Sequence, residues 1–168
     1  MKKFGLLLGA FLILTGLTFW DNGLKELYAE HSDARVCFYL SRFESLDLST
    51  FSEDTIIINS GTGIIVDVPG AAAAQMRGGF SDILGESVCF SGGPADAQEI
   101  MNFYRARLLW EEEIPLDGNG NSVKIMYGFS WLLNKSVEAD GQRINIQIAV
   151  NSLSGKVTAG VPLILGSY

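Results

Sequence analysis

The sequence predicts an α+β domain: a largely antiparallel sheet with two or three helices packed on one face, preceded by an N-terminal signal or anchor helix. Three observations carry this. From about residue 108 onward the apolar period changes from 3.6 to 2. Before that point, branched apolar runs split by glycine-rich turns alternate with helical stretches. The first twenty or so residues differ from everything that follows.

That first stretch, "MKKFGLLLGAFLILTGLTFWDNG", places Lys2 and Lys3 before seventeen uncharged, mostly apolar residues, Phe4 to Trp20. A basic start, an apolar run and a polar exit are the layout of a secretory signal. The run is long for a cleaved signal and short for a span. Trp20 fits the headgroup level of a membrane, and the lysines stay inside, so the rest of the chain is expected outside. No small-x-small cleavage site stands out, and the stretch has no cysteine for lipidation. Residues 1–22 are therefore read as a signal peptide or membrane anchor, leaning to an anchor, and 23–168 as one extracytoplasmic domain, secreted or membrane-bound.

Leu24, Leu27, Tyr28 and His31 recur at helical spacing, which would carry the anchor helix beyond the membrane. "DARVCFYLSRFESL" fits either a helix, through Val36, Tyr39, Leu40 and Phe43, or a strand, through its aromatic and branched content. "TIIINSGTGIIVDVPG" reads as two strands around residues 59–63, stopped by Pro69-Gly70. "AAAAQMRGGFSDILG" is expected to be a helix with Met76, Phe80, Ile83 and Leu84 inward and Gly85 as its cap, weakened by Gly78 and Gly79. A short strand follows at "ESVCFSG". The next helix opens at Pro94 with Asp96 and Glu99 in its first turns, where the helix dipole favours acids. Ala97, Ile100, Met101, Tyr104 and Leu108 form its apolar face, and Arg105 and Arg107 close it.

Four strands then follow. "LLWEEEI" leads to a turn at residues 117–120, and "SVKIMYGFS" returns with Val123, Ile125 and Tyr127 on one face and Lys124 and Met126 on the other. After Asp140-Gly141, Ile144, Ile146, Ile148 and Val150 point one way. Asn145, Gln147 and Ala149 point the other way, toward water or a partner. Val157, Ala159, Val161 and Leu163 give the buried face of the last strand. Pro162 requires that strand to be an edge or to end there.

Charge and composition exclude much. Net charge is −7, and with Lys2 and Lys3 set aside ten basic residues face nineteen acidic ones. Such a body repels phosphate backbones, so nucleic acid is not an expected partner. One histidine and two distant cysteines offer no zinc spacing, so no metal or other cofactor is expected. No catalytic residues are assigned and an enzyme is not expected, because the one histidine, His31, lies next to the membrane segment and a Ser-His or Cys-His pair would need it to fold back into the domain. Glu111, Glu112 and Glu113 alternate faces on a strand and so cannot converge on a cation; they read as a charged edge. "SGGPADAQ" lacks the lysine and hydroxyl of a phosphate loop and reads as a helix cap. Cys37 and Cys89, both in a Val-Cys-Phe context, form either a bridge permitted outside the cell or two buried thiols. Lys124, Asn145 and Gln147 are candidates for a polar sheet face, which cross-strand pairing also explains.

Val88-Cys89-Phe90-Ser91-Gly92, Glu111-Glu112-Glu113, Tyr127-Gly128-Phe129-Ser130, Asn145-Ile146-Gln147-Ile148-Ala149 and Gly160-Val161-Pro162-Leu163-Ile164…Tyr168 resemble the YwmB-like family of Gram-positive bacteria. The resemblance covers roughly residues 86–168. It implies an extracytoplasmic protein with a TATA-box-binding-like fold, and it supplies no catalytic residues. The fold label describes shape and carries no DNA-binding claim. The function expected from all of this is non-catalytic binding of an envelope protein or glycan outside the membrane. The alternative is a small-ligand-binding or sensing domain, with a groove between sheet and helices as its site.

Overall fold

The computed structural model describes residues 23–41, 51–59 and 62–164. Lys2, Lys3 and Trp20 of the expected anchor lie outside the described residues. The chain runs α1 (Lys25–Glu30), β1 (Arg35–Ser41), β2 (Ile56–Asn59), β3 (Gly63–Pro69), α2 (Gly70–Arg77), β4 (Ile83–Ser91) and α3 (Pro94–Phe103). It continues through β5 (Arg107–Pro115), β6 (Ser122–Phe129), β7 (Val137–Ala139), β8 (Gln142–Ile144), β9 (Ile146–Asn151) and β10 (Lys156–Val161). Eight strands form one sheet in the order β2-β3-β1-β4-β10-β9-β6-β5, with every neighbour antiparallel. The small hairpin β7–β8 stands apart, turned by Asp140 and Gly141, both at positive φ.

All three helices cover one face. Val36, Phe38 and Leu40 of β1, Val66 and Val68 of β3, and Val88 and Phe90 of β4 point into a core shared with Ile146, Ile148 and Val150 of β9 and Val157, Ala159 and Val161 of β10. Leu24, Leu27, Tyr28, Ala73, Ala97, Ile100, Met101 and Tyr104 close it from the helix side. Among the described residues the other face is covered over one half only. After Val161 the chain folds back so that Ile164 lands on Val123, Ile125 and Ala149, and its N–H donates to Gln147 Oε1 at 2.8 Å. Gly160 permits this, because a Cβ there would lie 2.7 Å from the Ile164 backbone nitrogen.

Several expectations are corrected. The stretch left open between helix and strand is a strand over 35–41, since Val36, Phe38 and Leu40 alternate inward, and Phe43 lies outside the described residues. α1 does not continue a preceding helix: it starts at Lys25, and Gly23 has φ +49°. The helix expected to reach Gly85 ends at Arg77, where Gly78 and Gly79 offer no side chain to sustain it. Ile83 and Leu84 instead open β4. Leu108 leaves the helical face, because α3 stops at Phe103 and Arg105 adopts φ +49°. β10 lies inside the sheet, so of the two options for Pro162 the strand end is the one realised. Residues 146–150 are buried on both faces, not on one.

One buried ion pair joins the layers. Glu86 projects from the central strand β4 to the helix side, 3% exposed, and accepts Arg77 Nε at 3.0 Å from the end of α2. Its other oxygen accepts the Leu24 N–H at the start of α1. Gly23 is required beside it: a Cβ there would lie 1.9 Å from Glu86 Oε1. Removing one partner of a buried pair costs about 3–5 kcal/mol, because the other charge stays buried alone. Glu86→Gln is therefore expected to lower unfolding free energy in urea by about 3 kcal/mol. A loss below roughly 1 kcal/mol would show that the pair does not hold the layers together.

Candidate functional site

The half of the second face that Ile164 leaves open is a trough of ≈ 440 Å³ over β2, β3, β1, β4 and β10. Strand parity builds it. Residues on β1 that alternate with the core positions, Arg35, Cys37 and Tyr39, form its floor with Ser87 and Cys89 of β4 and Thr158 of β10. Ile65 of β3 and Ile56 and Ile58 of β2 form an apolar wall, the last two each 51% exposed. Ile164 closes the opposite end, and Asp33 and Lys156 stand at the rim.

The polar groups in the floor are mostly paired. Arg35 Nε donates to Asp67 Oδ1 at 3.0 Å and its terminal nitrogen to the Asp54 carbonyl at 3.1 Å. The Tyr39 and Ser87 hydroxyls share a hydrogen bond of 2.9 Å. Asp33 Oδ2 accepts the Ser91 N–H at 2.9 Å, and its hydrogen bonds with Ser91 hold its carboxyl below the usual range. Burial, helped by the nearby Asp67 carboxylate, pushes the Cys37 thiol up to about 11. A thiol so shifted stays protonated at neutral pH and is a poor nucleophile.

Cys37 and Cys89 do share this floor, but both are free thiols. Register explains why the candidate bridge is not made. Cys37 lies opposite Ser87, and Cys89 opposite Arg35, so the two cysteines are diagonal neighbours. Diagonal positions lie about 7–8 Å apart, beyond the Cα separation a disulfide usually spans.

The candidate polar face does not exist as such. Lys124 lies on the helix side of β6 with Met126 and pairs with Glu111 at 2.8 Å. Asn145, fully buried between β8 and β9, accepts the Ser130 N–H at 2.7 Å and donates to the carbonyls of Ser130 and Leu133. Gln147 is on the opposite face, beneath Ile164. The three residues belong to three different structural contacts. The three glutamates do not converge: Glu111 meets Lys124, Glu112 meets Tyr127 and Glu113 meets Ser122. His31 stacks on Phe90 with centroids 3.7 Å apart. Among the described residues no three of His, Cys, Asp and Glu are grouped to hold a metal.

The trough was hidden in the sequence because it depends on reading residues 35–41 as a strand. Once they are, Arg35, Cys37 and Tyr39 must share a face, but that Ile56, Ile58 and Ile65 flank it follows only from the strand order. Comparison with family models, curated proteins and solved structures gives no match.

Two measurements test this geometry. Protein unfolded without reductant and alkylated is expected to gain two adducts per chain by mass; none would mean a bridge and a different register. The folded chain also holds the Cys37 proton that the unfolded chain releases above its ordinary value of 9. Stability should therefore fall as pH rises from 9 toward 11. Tyr28 and Tyr104, also raised chiefly by burial, extend the fall to higher pH. Melting temperature followed through this range should decline less steeply in Cys37→Ala than in the parent chain.

Proposed function

We propose that this chain is a non-catalytic binding domain held outside the membrane, anchored by or released from its N-terminal apolar segment. In this reading the open half of the sheet takes an apolar stretch of an envelope protein. The observation that carries the reading is the trough itself. The helices and Ile164 cover the core of one face of the eight-stranded sheet and part of the other, and the rest of that second face, among the described residues, exposes isoleucines beside paired polar groups. Exposed apolar surface of this kind, rimmed by polar residues, marks interaction sites. A protein segment is favoured over a glycan because, among the described residues lining the trough, Tyr39 is the one aromatic and is only 4% exposed, so they present no ring face for a sugar to stack on. The acidic balance of residues 21–168 supports a partner other than nucleic acid.

A small amphipathic ligand is the second reading. The trough volume lies within the range of small-molecule sites, and Lys156 at the rim could meet an anionic end. Membership in the YwmB-like family and a TATA-box-binding-like arrangement of the sheet belong to the same proposal; they rest on the resemblance over residues 86–168 and on the antiparallel α+β architecture.

The test is a photo-crosslinking side chain placed at Ile58 in the full chain in its native cells. An adduct of defined mass is expected from Ile58, not from Glu112 on the far edge, and is expected to vanish when Ile65→Asp is added. Equal adducts from Ile58 and Glu112, or none from Ile58, would refute the trough as the docking face. A bound small molecule seen by native mass spectrometry, without a protein adduct, would favour the second reading.

A further inference from the structure

A second exposed apolar surface lies on the helix side of the sheet, around the point where the described chain begins. Three elements converge there. The Tyr104 hydroxyl, at the end of α3, donates to the Gly23 carbonyl at 2.9 Å. The Ser130 hydroxyl donates to the Tyr104 carbonyl, and the Leu132 N–H donates back to Ser130 Oγ at 3.1 Å. Asn145 fixes the same 130–133 loop from beneath, through Ser130 and Leu133. Gly23, the end of α3 and the 130–133 loop are thus held as one unit by buried and part-buried hydrogen bonds.

That unit exposes large apolar side chains. Phe103 is 57% exposed and lines a hollow of ≈ 360 Å³ together with Gly23, Glu26, Tyr104, Arg105, Leu132 and Leu133. Trp131, 63% exposed, precedes Leu132 in the same loop. The domain spends neither ring on its own core, although both sit on elements that the fold holds firmly. Aromatic side chains so placed favour the membrane–water interface, where one end is apolar and the other wet.

The chain that leads to Gly23 identifies the occupant. Only Asp21 and Asn22 separate Gly23 from Trp20, the last residue of the seventeen-residue apolar run. Three residue steps span at most roughly 11 Å. Whatever surrounds Gly23 must therefore lie within about that distance of the end of the run. We infer that Phe103, the hollow it lines and Trp131 of the adjoining loop form a lipid-facing footprint that seats the domain on the headgroup and acyl boundary of the bilayer holding residues 4–20. This rests on the anchored reading proposed above. The contact is apolar rather than ionic, because a neighbouring depression is lined by Glu26, Glu30, Asp96 and Glu99, which would repel anionic headgroups. The footprint also orients the domain, since the trough lies on the opposite face of the sheet and is left clear of the membrane surface.

The chain has three tryptophans, Trp20, Trp110 and Trp131, so each can be left as the only one by Trp→Phe substitution. Full-length protein would be reconstituted in phosphatidylcholine vesicles with brominated acyl chains, which quench tryptophan on contact. The Trp131-only form is expected to lose roughly twofold more emission than the Trp110-only form, and Phe103→Asp should reduce that loss while Trp20 stays quenched. Replacing a third of the lipid with phosphatidylglycerol should not strengthen the Trp131 quenching. Quenched Trp20 with bright Trp131 would overturn the footprint and leave the anchor standing. Bright Trp20 would overturn the anchored reading and the footprint with it. Blue-shifted but unquenched Trp131 would mean that protein, not lipid, fills the hollow, which also overturns the inference.

Discussion

The buried carboxylate of Glu86 is the constraint on which the rest of the structure depends. It sits on β4, the strand that joins the two halves of the sheet, and faces the helix layer. A single side chain meets the end of α2 through Arg77 and the start of α1 through Leu24. A charge this deep is tolerable only when its partners are in place. The demand therefore fixes where both helices lie, and it leaves room for nothing larger than glycine at position 23. Tyr104 adds a second tie to the same point through the Gly23 carbonyl. Gly23 and Leu24 are consequently held at fixed points against β4 and α3.

A second constraint acts on the opposite face. Ile164 covers β6, β9 and β10 because Gly160 lets the returning chain pass close and Gln147 gives its backbone a hydrogen bond. Among the described residues the return reaches Ile164, which closes one end of the trough and does not cover β1 or β3. What remains uncovered is a surface whose polar groups already satisfy one another, through Arg35 with Asp67 and Tyr39 with Ser87. Satisfied polar groups set among exposed isoleucines have little need of water. That makes the face suited to a partner that supplies apolar contact and asks for few hydrogen bonds.

The two surfaces lie on opposite faces of the sheet: exposed rings on the helix side near Gly23, and the trough on the other. On the anchored reading proposed above, a domain arranged in this way would hold a partner above a membrane with no conformational change required of either surface.

Much of the fold was legible in the sequence by itself. The period of two after residue 108, the proline and acids that open α3 and the glycine turns determined the α+β class, most strands and the position of the best helix. Local rules suffice there, because each element's pattern is set by its own neighbours along the chain. The weaker helix was over-extended, since the apolar residues Phe80, Ile83 and Leu84 continued the spacing and only packing gave weight to Gly78 and Gly79. Asn145, Gln147 and Lys124 looked equivalent on paper, yet one caps a loop, one holds the returning chain at Ile164 and one pairs on the far side. The difference lies in partners distant in sequence. Strand order, the diagonal register that keeps Cys37 and Cys89 apart, and the half-covered second face were decided only in the tertiary structure. Hydrogen-bond pairing between strands far apart in the chain leaves no period to read in any one of them.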